Sequence, residues 1–220
     1  MSPEQFVGRR DQLALLDEAV RTAQTGEPQF VVFGGDAGVG KTRLMEHFAD
    51  RVEEAGVRVL RTACVELGSQ GLPLAPVTAA LRQLVGPGGA EAMAQLHPGG
   101  KALLRLLPEF GSPAGVADRG RLFDLFGALL QRLGAEYPLL WLIDDVHWAD
   151  RSTRDLLGFL ARTLRASRIL VVAAYRIDDL ALGHPLRPFL AELQRLPGVR
   201  RIELASFSRA ETGELLAGAF

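Results

Sequence analysis

Apolar and polar positions along the chain fall into two interleaved patterns. From 11 to 24, "DQLALLDEAVRTAQ" carries apolar residues at 13, 15, 16, 19 and 20. That spacing predicts one buried face of an α-helix, with Asp11 as its N-cap. "GEP" at 26–28 breaks it. Five apolar runs then read as strands: 29–34 "QFVVFG", 57–64 "VRVLRTAC", 139–144 "LLWLID", 168–175 "RILVVAAY" and 199–204 "VRRIEL". Several are continuously apolar rather than alternating, as expected of parallel strands covered by helices on both faces. Helical periodicity fills the intervals at 41–54, 76–85, about 120–134, 152–165 and 186–195. Strands alternating with helices predict a doubly wound α/β sheet.

The stretch 86–119 is rich in glycine and proline, with short helical pieces in "AEAMAQL" and "KALLRLL". The strand pattern resumes after it, so it reads as part of a helical insertion around 73–119 rather than as a linker. One domain is expected over 1–205. "SFSRAETGELLAGAF", at 206–220, opens with a helix-start signal and reads as the beginning of a further helical layer. The expectation is a segment of a longer protein.

Composition narrows the function classes. Hydrophobic residues make up 48% and charged residues 23% of 220 positions, ordinary for a globular domain that needs no disulfide or metal staple. The single cysteine, Cys64, reads as a buried inert thiol in a reducing compartment, and the cytoplasm is the expected location. The N-terminus lacks the basic-then-apolar pattern of a signal peptide. No apolar run approaches the ~20 residues of a membrane span. Net charge is −1 with the basic residues scattered, which argues against a broad nucleic-acid footprint. His47, His97, His147 and His184 have no partners at zinc-ligand spacing.

Against that background one lysine stands out. The chain has only two, and Lys41 lies in "VVFGGDAGVGKTRL" at 31–44. Gly35-Asp36-Ala37-Gly38-Val39-Gly40-Lys41-Thr42 matches G-x-x-x-x-G-K-[ST] at every position, at a strand-to-helix junction. Glycines let the backbone curl until successive N–H groups face one concavity, and the following helix aims its positive dipole end there. Lys41 would neutralise the β- and γ-phosphates of a nucleotide, and the Thr42 hydroxyl would ligate Mg²⁺. Arg43 completes the candidate binding stretch.

A second element is needed to hold the metal and its water. "LLWLIDDVHWAD", at 139–150, ends a buried strand in two carboxylates. Asp144 fits support of Mg²⁺, and Asp145 fits orientation or deprotonation of an attacking water. Arg176 ends the fourth strand and reads as a γ-phosphate contact, with pairing to Asp178 or Asp179 as the alternative. Asp150 and Ser152 read as helix caps, with Asp155 completing a box-like pattern. For His147 and Trp148, facing a nucleotide and packing beneath the loop both stay open.

With these residues in hand the chain resembles a known family. "FVGRRDQLALLDEAV", "GDAGVGKTRL", "LLWLIDDVHWAD" and "VVAAYR" occur in the order seen in STAND-type ATPases of the AAA+-related P-loop class. The chain looks most like the ATPase module of large bacterial LuxR-type transcriptional regulators. The resemblance implies a three-layer α/β/α sandwich with a five-stranded parallel sheet in order 5-1-4-3-2. It places Phe6, Val7, Gly8 and Arg9 beside an adenine, although the residues alone suggest a core position for Phe6 and a solvated charge at Arg9. It makes 206–220 the start of a lid. The implied activity is ATP binding and slow hydrolysis, with ATP or ADP and Mg²⁺ as ligands and self-association as the output. DNA would be reached only through a C-terminal domain outside this chain. Asp145 stands where the wider AAA+ pattern has glutamate, and no arginine finger is evident. A non-hydrolysing scaffold and a loader-type remodelling ATPase are the competing readings.

Overall fold

The computed structural model describes residues 8–67, 70–107, 119–207, 209 and 212–213. Five parallel strands form the main sheet: β1 (Gln29–Gly35), β2 (Arg58–Ala63), β3 (Leu139–Asp144), β4 (Ile169–Arg176) and β5 (Val199–Glu203). From edge to edge the order is β5-β1-β4-β3-β2, and every pairing is parallel. The expected class is the observed one. A separate antiparallel ladder of Glu66–Leu67 with Gln70–Gly71 is a detail the residues did not announce, because two-residue strands leave no periodicity to read.

The eight α-helices among the described residues are α1 (Arg10–Gln24), α2 (Lys41–Glu54), α3 (Ala75–Val85), α4 (Gly89–Leu96), α5 (Gly100–Leu103), α6 (Arg119–Glu136), α7 (Arg151–Thr163) and α8 (Leu186–Leu193). Alternation along the strands explains the unbroken apolar runs. Leu139, Trp141 and Ile143 of β3, with Ile169, Val171, Ala173 and Tyr175 of β4, join one core with α3, α6, α7 and α8. Leu140 and Leu142, with Leu170, Val172 and Ala174, join the other with α1 and α2. A strand buried on both faces has no position left for a polar side chain.

The stretch expected to be an insertion packs against the first of these cores. Met93, Leu103, Leu104 and Leu107 are buried in it, so the segment is layered onto the domain. Residues 108–118 lie outside the described set. Cys64 falls one residue past β2 and is buried. Desolvation, aided by nearby carboxylates, pushes its thiol pKa up to about 12, which keeps it protonated and inert as expected.

Three local expectations change. Asp11 is not the cap of α1: Arg9, in left-handed backbone with φ 59, takes that position, and Asp11 lies inside the first turn. Asp150 does cap α7, its carboxylate accepting from the Ser152 and Thr153 amides at 2.9 and 3.0 Å. Ser152 is thus a capped residue rather than a cap. Asp155 lies 3.7 Å from Arg151 one turn away, so it completes an ion pair and not a capping box.

Candidate functional site

At the carboxyl edge of the sheet, β1 ends at Gly35 and the chain loops through Asp36–Gly40 into α2. Gly38 and Gly40 have φ of 75° and 92°, a region that costs an L side chain strain. Gly40 is the N-cap of α2 and offers no side chain to the first-turn amides. Those N–H groups and the helix dipole therefore remain available to an anion.

Lys41 opens α2 and is buried, its Nζ donating to the carbonyls of Gly35 and Asp36 at 2.7 Å each. Burial pulls its pKa below the ordinary lysine value. The Asp178 carboxylate opposes this most strongly, Arg176 adds to the lowering, and Asp144 and Asp145 oppose it further. Thr42, one residue on, donates its hydroxyl to Asp144 Oδ2 at 2.5 Å. The other Asp144 oxygen accepts from the Asp145 amide at 2.8 Å. A hydroxyl and a carboxylate in contact form a hard-oxygen pair suited to Mg²⁺. Among the described residues no group of three or more His, Cys, Asp or Glu could hold a metal alone, and Mg²⁺ in phosphate sites is usually held by one or two protein oxygens plus phosphate and water. The residues present fit that ion.

Asp145 has left-handed backbone, φ 53 and ψ 41, and turns the chain into a short 3₁₀ segment over Val146–Trp148. Asp tolerates this region better than most residues. Its Oδ1 lies 3.6 Å from Arg176 Nε, and Asp179 Oδ2 lies 3.9 Å from the same nitrogen. Arg176 is thus held by Asp145 and Asp179, which brings the expected γ-phosphate contact and its expected competitor to the same place. Asp178 turns the other way, Oδ2 accepting from the Ala37 amide at 3.2 Å.

His147 packs beneath this rim. It is buried, Nδ1 accepts from the Arg176 amide at 3.4 Å, and Nε2 lies 3.2 Å from Asp179 Oδ2. With Nδ1 accepting, the neutral ring carries its proton on Nε2, facing the carboxylate. Burial lowers its pKa against the raising effect of Asp145 and Asp179. Trp148 follows at 5.3 Å between ring centroids and is partly buried on the core.

On the far side of the loop, Arg9 is not solvated. It is buried, it donates from Nη2 to the Val39 carbonyl at 2.9 Å, and its guanidinium lies 4.4 Å from the Phe207 ring centroid. Gly8, Arg9, Arg10, Glu203, Ala205 and Ser206 are among the residues lining a cavity of about 420 Å³ beside it. The burial has a physical reason: a planar guanidinium can bond a carbonyl through its edge while stacking an aromatic on its face. Phe6, Val7 and most of 206–220 lie outside the described residues.

The model of a family described as an AAA ATPase domain matches residues 5–172. The chain belongs to that family. The matched span takes in the glycine loop and the Asp144–Asp145 pair and stops before Arg176. An uncharacterized protein of Rhizobium meliloti is 28% identical over 215 residues, spanning 86% of this chain and 20% of its own length. The chain therefore covers about a fifth of that relative. Among solved structures, a Signal Transduction ATPase with Numerous Domains (STAND) protein with a tetratricopeptide repeat sensor, from Pyrococcus horikoshii, superposes with TM-score 0.54 at 17% identity, over 97% of this chain and 25% of that one. AMPPCP-bound DnaA from Aquifex aeolicus superposes with TM-score 0.50 at 16% identity, over 98% and 52%. These likenesses show a shared fold.

Within this AAA ATPase domain the structure brings Gly35–Thr42, Asp144, Asp145 and Arg176 to one edge. Arg43 is exposed in the first turn of α2. Asp178 and Asp179 enter as rim residues that the sequence offered only as partners for Arg176. Their signal was visible in "YRIDD" at 175–179: two acids directly after an apolar strand share the sheet edge that its neighbours use.

Proposed function

We propose that this AAA ATPase domain is a nucleotide-operated switch within a longer protein, binding Mg²⁺ with ATP or ADP and hydrolysing ATP slowly. The observation that carries the reading is the Thr42–Asp144 contact at 2.5 Å beside Lys41. Two residues 102 apart in sequence meet where a phosphate-bound cation needs oxygen ligands. The loop amides and Lys41 hold the phosphates, Thr42 and Asp144 hold the metal, and Asp145 orients water. The bound metal supplies charge neutralisation at the phosphate oxygens. Slow turnover fits the ion pair at 3.6 Å that turns the Asp145 carboxylate toward Arg176, since a carboxylate so engaged has to be released before it can orient a water.

The wider setting belongs to the same proposal: a STAND-type regulator of the LuxR kind, cytoplasmic, with self-association as the output and DNA contacted only by another part of the protein. The domain boundary near 205 and the lid start at 206–220 belong to it too, with Gly8 and Arg9 on the adenine side. Among the described residues no helix is long and apolar enough to cross a membrane.

The experiment pairs binding with turnover. Lys41→Ala is expected to abolish fluorescent-ATP binding with circular dichroism unchanged. Asp145→Asn is expected to bind and to release phosphate at the background rate. Retained affinity in Lys41→Ala would overturn the site assignment. Background rates in both wild type and Asp145→Asn would favour the non-hydrolysing scaffold.

A further inference from the structure

The Asp178 carboxylate is the part of the rim that the proposed function leaves without a task. β4 pairs with β1 up to Gly35 opposite Arg176, and Ile177 N then donates to Gly35 O at 3.2 Å. The chain is thereby still tethered to the start of the glycine loop when it reaches Asp178. The side chain is delivered across 141 residues of sequence to the Ala37 amide, at 3.2 Å. That amide belongs to the loop whose N–H groups make an anion cradle, and a carboxylate oxygen is an anion. Lys41 meanwhile donates to two carbonyls of the same loop. The Ala37 amide and the Lys41 ammonium of the loop are thus engaged by the protein's own groups.

The charge balance at this edge also has a direction. Asp144, Asp145, Asp178 and Asp179 face Lys41 and Arg176. The reach of Lys41 is toward the β- and γ-phosphates. Arg176, the candidate γ-phosphate contact, ends β4 opposite Gly35, two residues before Asp178. Negative charge at Asp178 therefore weighs on the outermost phosphate more than on the inner ones, since Coulomb repulsion falls with distance and is screened by solvent at an exposed rim.

We propose that Asp178 is a specificity-determining residue that disfavours a third phosphate, holding an anion position at the Ala37 amide that a triphosphate has to share with a like charge and a diphosphate does not. This rests on the nucleotide-binding reading of the site. Its consequence is a domain biased toward the diphosphate form, in which the 177–185 turn stays docked on the loop.

The test measures dissociation constants for Mg-ADP and for the non-hydrolysable triphosphate AMPPCP with magnesium, by calorimetry on wild type, Asp178→Asn, Asp178→Ala and Lys41→Ala. Asp178→Asn removes the charge and keeps an oxygen that can accept from the amide. It is expected to tighten AMPPCP about tenfold while moving ADP less than about twofold. Asp178→Ala should move the ratio of the two constants by a similar factor. An unchanged ratio in Asp178→Asn, with wild type binding and Lys41→Ala not binding, overturns the inference and leaves the site reading intact. A shift in Asp178→Ala alone also overturns it, because the hydrogen bond and not the charge would then be the cause. Binding by neither wild type nor variant overturns the site reading and this inference with it.

Discussion

The two banks of the candidate site are built in opposite ways. On one bank, Gly35 to Thr42 are contiguous, and their geometry is dictated within eight residues by two left-handed glycines and the first turn of a helix. On the other, Asp144, Asp145, Arg176 and Asp178 come from the ends of β3 and β4 and the turn after β4. They meet only because those strands lie beside β1 in the order β1-β4-β3. The first bank is a local motif with one dominant chemical meaning. The second is an electrostatic arrangement whose meaning depends on which carboxylate faces which cation.

The sharpest way to separate the banks is to damage the local one without touching the fold. Lys41→Ala removes two hydrogen bonds to loop carbonyls and the one buried cation of the loop. Nucleotide affinity is expected to fall at least about 100-fold, with the urea midpoint shifted little. A large loss of stability instead would make Lys41 a structural pin.

The seam where the banks join is the next target. A Cβ at Gly34 would lie 2.6 Å from Tyr175 Cζ. Tyr175 cannot withdraw freely, since it is buried and its hydroxyl accepts from Arg201 Nε at 2.8 Å. Gly34→Ala should therefore cost about 1–3 kcal/mol in urea unfolding. A neutral result would mean that β1 and β4 can slide apart at little cost. The long-range bank would then be looser than drawn.

Asp150 supports the second bank from below. Besides capping α7 it accepts from the Leu74 amide at 3.1 Å, joining the helix after β3 to the segment that enters α3. Asp150→Ala should destabilise by about 1–2 kcal/mol. An effect near zero would show that solvent replaces both contacts.

The smallest effect concerns pH. Burial holds the His147 pKa below the ordinary histidine value of 6.5, so the unfolded chain binds this proton more readily than the folded one. Stability from this group is fully present above the unfolded value and is lost as pH falls from there toward the lower folded value. Melting temperature measured between pH 7.5 and 5.5 should fall more steeply in wild type than in His147→Gln. Parallel slopes would show that His147 does not titrate differently on folding. The second bank would then owe its pH response to other groups.

The same contrast explains what could be read from the residues alone. The strands, the glycine loop and the place of Asp144 at the tip of a buried strand were legible. Each rests on a repeat of two or 3.6 residues or on a motif fixed within a few positions. Arg9 was misread as a solvated charge because its partners, the Val39 carbonyl and the Phe207 ring, lie 30 and almost 200 residues away. Asp11 was misread as a cap because nothing nearby in sequence marks left-handed backbone at an arginine.

Hydrophobic periodicity and glycine placement fixed the layers, the sheet and the phosphate loop, since these depend on neighbours along the chain. The packing of β4 between β1 and β3 settled the rest. It chose Asp145 and Asp179 as the partners of Arg176, aimed Asp178 at the loop and placed His147 below the rim. Charges interact through space and not along the chain, so pairings among five acids and bases at one sheet edge take shape only once the strands are side by side.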